Sequence, residues 1–268
     1  MTVWRLVQSG VGAGAMNMAI DEVLLNSVAA GVSQPVLRLY GWSPATLSLG
    51  YAQSIHSDID FNFCQQSGID IVRRATGGRA VLHDKEMTYA VIAPTNLDCF
   101  GRSILECYRA LAEVLQHTLN LAGLSAQLVP GEHQGGHSNP SRAICFSAPS
   151  QYELVIGGRK VAGSAQKRKG AAFLQHGSVP IELDLTVLGR ILKIKTGQDR
   201  AGLEKVGWLN FWLEKPLTKT KLEGFLIEAF QRHLSIEFVH SSLTKEELTE
   251  AAELRNEKYA HSNWTFSR

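Results

Sequence analysis

Along this chain the apolar residues change period repeatedly, and that switching constrains the fold more than any other feature. Across 16–29, Ala19, Ile20, Val23, Leu24, Ser27 and Val28 fall on one face with Asp21 and Glu22 off it, which predicts an amphipathic helix ending at Gly31. Two alternating runs follow at 36–40 and 46–50, which predict strands joined by a Gly-Trp-Ser-Pro turn. Strands are also predicted at 69–73 and 87–93, on either side of a Gly77-Gly78 loop. Helical spacing returns at 104–122, where Ile104, Cys107, Leu111, Val114, Leu115 and Leu119 share a stripe. Ser103 with Glu106 forms a capping box there, and Gly123 supplies the stop. Residues 152–156 and 159–162 flank Gly157-Gly158, a two-residue hairpin signal. A strand at 172–181 and amphipathic helices around 222–233 and 244–259 complete the pattern. Strands gathered into hairpins, with helices between them, predict a mixed α/β sheet rather than a doubly wound one.

The chain has 268 residues, enough to bury a core without disulfides or metal. Lys plus Arg number 27 against 25 Asp plus Glu, and a formal charge of +2 removes the electrostatic case for a nucleic-acid binder. No uncharged apolar run approaches the roughly 18 residues of a spanning helix. The opening Met1-Thr-Val-Trp-Arg-Leu-Val-Gln has neither a basic nor an apolar leader segment, so a cytoplasmic protein is expected. The four cysteines, Cys64, Cys99, Cys107 and Cys145, form no CxxC pair and are expected to be reduced thiols. Composition shifts little, but 189–218 looks irregular. The expected division is a catalytic domain at 1–188, then a connecting segment and C-terminal helices at 189–268 that pack on it.

Three segments could carry chemistry. In Arg73-Arg-Ala-Thr-Gly-Gly-Arg-Ala-Val-Leu-His-Asp84 the paired glycines allow close backbone approach to a ligand, and Arg73, Arg74 and Arg79 suit an anion. It is neither a Walker loop nor a dinucleotide fingerprint. A β-turn with solvated arginines fits the same spacing. Cys145, in Ala143-Ile-Cys-Phe-Ser-Ala-Pro-Ser150, lies on no helical stripe and sits at a loop-to-strand junction. Only a thiolate attacks, so positive charge must be near it. By pattern alone, a small buried hydrophobe is the plainer reading. In Arg159-Lys-Val-Ala-Gly-Ser-Ala-Gln166, small residues (Gly163, Ser164, Ala165) surround Lys160. An inward lysine needs a partner such as a carbonyl or a thiolate, whereas an outward one is an ordinary surface residue. His176 fits either a site or a polar strand position. His83-Asp84 could simply order the loop. His133 and His137, separated by Gly135-Gly136, find no third ligand for a metal.

Taken together and in this order, the segments resemble a known family. Residues 73–84 are similar to the RRxTGGGxVxHD signature, and 159–166 to the lysine motif KxxGxA, of the lipoate and biotin protein ligase superfamily. Asn17-Met-Ala-Ile-Asp-Glu22 and Tyr40-Gly-Trp-Ser-Pro-Ala-Thr-Leu-Ser-Leu-Gly50 resemble its N-terminal segments. Cys145-Phe-Ser-Ala-Pro-Ser-Gln-Tyr-Glu-Leu154 resembles the stretch holding the acyl-accepting cysteine in octanoyltransferases of the LipM type, and Arg79 replaces the third glycine of many ligases. The match is weakest over 189–218.

The resemblance implies a class II synthetase-like catalytic domain with a largely antiparallel sheet flanked by helices. It implies that Cys145 takes an octanoyl chain from octanoyl-acyl carrier protein as a thioester. A lysine of a lipoyl domain, or of the glycine-cleavage H protein, then attacks. Lys160 would assist at the acyl carbonyl or thiolate. Arg73, Thr76, Gly77, Gly78 and His83 would line the pocket, with Gly163, Ser164, Ala165 and His176 beside it. No ATP, metal or other cofactor is expected, nor nucleic acid or membrane, and a monomer is the expected state. The alternative is an ATP-dependent lipoate ligase working through an acyl-adenylate.

Overall fold

The computed structural model describes residues 2–55, 59–101, 103–130, 152–194 and 202–268. At its centre is a six-stranded sheet in the order β10-β11-β6-β2-β1-β12. These strands are β1 (Thr2–Gly12), β2 (Val36–Trp42), β6 (Glu86–Pro94), β10 (Gly163–Lys169), β11 (Ala172–Pro180) and β12 (Ile236–His240). β1 runs parallel to β2 and β12, and the remaining neighbours are antiparallel. A three-stranded sheet places β3 (Thr46–Leu49) between β4 (Asp70–Arg73) and β5 (Val81–His83). Another joins β7 (Gln127–Pro130), β8 (Tyr152–Ile156) and β9 (Arg159–Lys160). The sheet is therefore mixed and largely antiparallel, as the sequence predicts.

Period-two alternation sends successive residues of the central strands to opposite faces, and both faces are covered. Leu37, Leu39, Met87, Tyr89 and Val91 meet α3 (Ile104–Leu121) and α5 (Lys219–Leu234) in one apolar cluster. Val36, Tyr40, Ala90 and Ile92 meet α1 (Gly14–Ala29), together with Ala251 of α6 (Lys245–Leu254). A third cluster joins Leu47, Leu49 and Val81 to Cys64 of α2 (Phe61–Gln66) and to Leu188 and Ile191 of α4 (Leu185–Ile191). A short helix, α7 (Ser262–Thr265), closes the chain.

Two expectations change. Helix α1 is buried nearly all round, including Asp21, because the sheet covers one side and α6 packs on another. The runs at 36–40 and 46–50 do not pair; β2 and β3 belong to different sheets. The capping box at Ser103 and Glu106 is present, and both glycines of the 157–158 turn have positive φ, 54° and 76°, as a tight hairpin of this twist requires. The region 189–218 includes a segment whose Val206 bridges in parallel to Lys160.

Phe230 of α5 is fully buried, with its ring 6.5 Å from Trp4 and 6.2 Å from Phe238. Phe230→Ala should lower unfolding free energy by about 3 to 5 kcal/mol, read from urea denaturation, because the rigid neighbours cannot close the void.

Candidate active site

The glycine loop and the 17–22 helix segment converge on His176 through buried polar contacts. The Thr76 hydroxyl in the glycine loop lies 2.7 Å from His176 Nε2 on β11. His176 pairs across the sheet with Ala165, and Gly177 with Ser164, so β10 lies alongside. On the opposite face of the sheet the Ser164 hydroxyl lies 2.8 Å from the Tyr89 hydroxyl. Gly177 permits this contact, since a Cβ there would sit 2.6 Å from the Tyr89 ring.

Behind His176 stands Asp21, whose Oδ2 lies 2.9 Å from His176 Nδ1 and accepts from the Tyr40 hydroxyl at 2.9 Å. Arg38 Nη1 donates to Asp21 Oδ1 at 2.7 Å. The same guanidinium donates to the Asn17 side-chain oxygen and to the Ser9 hydroxyl. Arg38 is 0% exposed and Asp21 1%. Burial pushes the Asp21 carboxyl upward, but Arg38 and His176 outweigh it and hold it below the usual range.

His83 stands in a parallel arrangement. Its Nδ1 lies 2.8 Å from Glu86 Oε1 and its Nε2 2.8 Å from the Ser48 hydroxyl. Trp42 stacks on its ring at 4.1 Å. Glu86 also accepts from the Thr88 and Ser178 hydroxyls. Burial again pushes this carboxyl upward, and His83 and the two hydroxyls reverse the direction. Arg74 donates to Ser48 and to the carbonyls of Gly77 and Arg79, so His83 is tied to the loop through Ser48 and Arg74.

Arg73 faces inward, and its guanidinium is engaged by backbone. It donates to the carbonyls of Gly50 at 2.6 Å, Gln53 at 2.7 Å and Thr265 at 3.0 Å. Trp264 Nε1 donates to the Arg73 carbonyl at 2.8 Å. The Tyr51 N–H donates to the Thr76 carbonyl at 2.8 Å. At Gly50 a Cβ would lie 1.9 Å from the Gly78 carbonyl oxygen, so these two backbones touch only because residue 50 is glycine.

Lys160 stands at the end of the hairpin strand and is 5% exposed. Its Nζ donates to Glu153 Oε1 at 3.0 Å, so a carboxylate joins the carbonyl and thiolate as a partner for an inward lysine. Its backbone is pinned by Lys205 and Gly207. Cys145, with His133 and His137, lies outside the described residues. The other three thiols are not disposed to react. Burial pushes Cys64 up to about 11 and Cys107 up to about 12, and raises Cys99.

Sequence reasoning missed Asp21, Arg38 and Glu86. Signals existed for the first two. An arginine inside the apolar strand pattern of 36–40 must be buried with a partner, and Asn17 and Asp21, four apart on a helix, share a face.

The chain matches the lipoyl protein ligase A/B catalytic domain over residues 13–231, and it belongs to that family. It is 38% identical to an octanoyltransferase LipM of Geobacillus kaustophilus, over 99% of each chain. The octanoyltransferase LipM of Staphylococcus aureus is likewise 38% identical over 99% of each. Among solved structures, a lipoate-protein ligase A bound with ATP superposes with a TM-score of 0.82 at 26% identity, covering 98% of both chains. A putative lipoate protein ligase from T. acidophilum with bound lipoic acid gives 0.81 at 25% identity, covering 98% of this chain and 99% of that one.

The buried carboxylates set the acid stability. Asp21 and Glu86 are held below their usual values of 3.8 and 4.5. Their contribution is present above the unfolded values and lost as pH falls through the lower folded ones. The urea midpoint should therefore stay flat from neutral pH to about pH 5 and drop below about pH 4. Asp21→Asn should lower stability at neutral pH and flatten the acid slope.

Proposed function

We propose that this protein is an octanoyltransferase of lipoate biosynthesis that moves an octanoyl group through a Cys145 thioester to a lysine of a lipoyl domain or of the glycine-cleavage H protein. The full-length identity to LipM octanoyltransferases carries this reading. The Cys-Phe-Ser-Ala-Pro-Ser context of Cys145 agrees with it.

In the first step the Cys145 sulfur attacks the carbonyl of octanoyl-acyl carrier protein. A carbon–sulfur bond forms, the donor's carbon–sulfur bond breaks, and the donor leaves as a thiolate that takes up a proton from solvent. In the second, the neutral amine of the acceptor lysine attacks the new thioester. An amide forms, Cys145 departs as thiolate, and the amine's proton passes to solvent, balancing the one taken up in the first step. Thioester exchange followed by amide formation runs downhill, so no nucleotide enters. The protein must hold a thiolate ready and accept an amine whose free pKa is about 10.4. Lys160, ion-paired to Glu153 in the resting protein, brings a cation to this chemistry. A cation there favours the Cys145 thiolate and the oxyanion of each tetrahedral intermediate. Burying the acyl chain would add up to roughly 0.8 kcal/mol per CH2, so an apolar channel beside Cys145 is expected. The cytoplasm and a monomer suit the same reading.

A second reading rests on the likeness to a ligase bound with ATP. In it, the glycine loop and Lys160 hold an acyl-adenylate and Cys145 is incidental.

Intact-mass analysis after incubation with octanoyl-acyl carrier protein should show one octanoyl adduct that Cys145→Ala abolishes. An adduct that survives this substitution, or none on the wild type, rejects the thioester route. Lipoate-dependent pyrophosphate release retained in Cys145→Ser would instead establish the ligase. Native alkylation at pH 7.5 should map its fast phase to Cys145. Cys64 and Cys107, pushed up to about 11 and 12, are thiolate in below about one molecule in a thousand.

A further inference from the structure

The hydrogen-bond chain behind the glycine loop has a direction, and the direction follows from which of its groups can only donate. Arg38 carries no acceptor, so the 2.7 Å contact to Asp21 Oδ1 is a donation, and the guanidinium beside it favours the ionised carboxylate. The neighbouring Asp21 Oδ2 is then acceptor only. It accepts from the Tyr40 hydroxyl and faces His176 Nδ1 at 2.9 Å, so Nδ1 carries a proton. With Nδ1 turned to Asp21, the ring presents Nε2 to the Thr76 hydroxyl at 2.7 Å.

We infer that Asp21 and His176 are positioning residues: they draw the Thr76 hydroxyl proton inward and leave only its lone pairs facing its remaining neighbours beside Gly77 and Gly78. The functional consequence rests on the octanoyl-transfer reading, in which this loop receives the acyl group. Thr76 then offers an acceptor rather than a donor, and the loop keeps one orientation as substrates exchange. His176 need not touch the substrate to matter.

Asp21→Asn tests the direction itself. Arg38 requires an oxygen, so the new amide must place its oxygen toward Arg38 and its NH2 toward His176. Facing a donor, Nδ1 must give up its proton, and the tautomer inverts to Nε2–H. The Thr76 contact then reverses, with the hydroxyl accepting.

Nitrogen-15 NMR of the imidazoles in the intact protein reads this without any substrate. Wild-type His176 should show a protonated Nδ1 and an unprotonated Nε2. Asp21→Asn should show the opposite tautomer. A wild-type imidazolium, or an Nε2–H tautomer, overturns the inference. The second arm measures the rate of octanoyl adduct formation. Thr76→Val, which keeps the shape and removes the hydroxyl, should slow it about tenfold or more, the scale of a lost hydrogen bond to a buried group. Thr76→Ser should stay within about twofold of wild type, because the same hydroxyl is retained. A Thr76→Val protein that folds and acylates at the wild-type rate also overturns the inference. If wild type itself forms no adduct, the transfer reading falls, and the NMR arm alone decides the positioning claim. Thr76→Val keeps the test open should Asp21→Asn fail to fold.

Discussion

The ion pair between Asp21 and Arg38 is the contact on which the rest of the structure depends. It sits in the interface between α1 and the central sheet, among Tyr40, Met18, Ala19 and Val23, where water is excluded. Two charges in such a place cost several kcal/mol each in lost hydration unless every lone pair and proton finds a partner. Here the carboxylate takes three donors, and the guanidinium is shared among Asp21, Asn17 and Ser9. Removing either partner would strand the other. The pair therefore fixes how the helix sits on the sheet more tightly than apolar packing could, since apolar contacts tolerate sliding and this geometry does not.

From that pair the order is handed outward in two directions. Through His176 it reaches the glycine loop, and through the register of β10 and β11 it reaches the strand after Lys160. The loop is held from its other side by Arg74 and by the backbone contact at Gly50. A segment with two adjacent glycines would otherwise sample many backbone states. Each restraint on it comes from a different element, so the loop enters any reaction already arranged and its ordering need not be supplied by substrate binding.

What was legible in the sequence follows the range of the interactions involved. The capping box at Ser103 and Glu106 and the turn at Gly157-Gly158 are local devices, decided within a few residues, and both were readable. The separation of β2 from β3 was not, because alternation identifies strands but says nothing about which sheet they join. β1 gave little warning, since its burial alternates poorly and its partners are parallel and distant in sequence. Asp21 was misplaced because a helix buried on several sides breaks the one-stripe rule. For an inward Lys160 the sequence suggests a carbonyl or a thiolate; the carboxylate of Glu153 was not legible, as it lies across the hairpin rather than beside it in sequence. The role proposed for Cys145 rests on family resemblance, because no local pattern distinguishes a nucleophilic thiol from a buried one.

Arg73 reaches back to the carbonyls of Gly50 and Gln53 and forward to Thr265, a span of 192 residues. Trp264 answers by donating to the carbonyl of Arg73 itself. The strand that enters the glycine loop is thus fastened by Trp264 and Thr265. During synthesis residues 264 and 265 must emerge before the glycine loop acquires this clasp, so a chain made only as far as β12 holds the loop without the contacts that fix it.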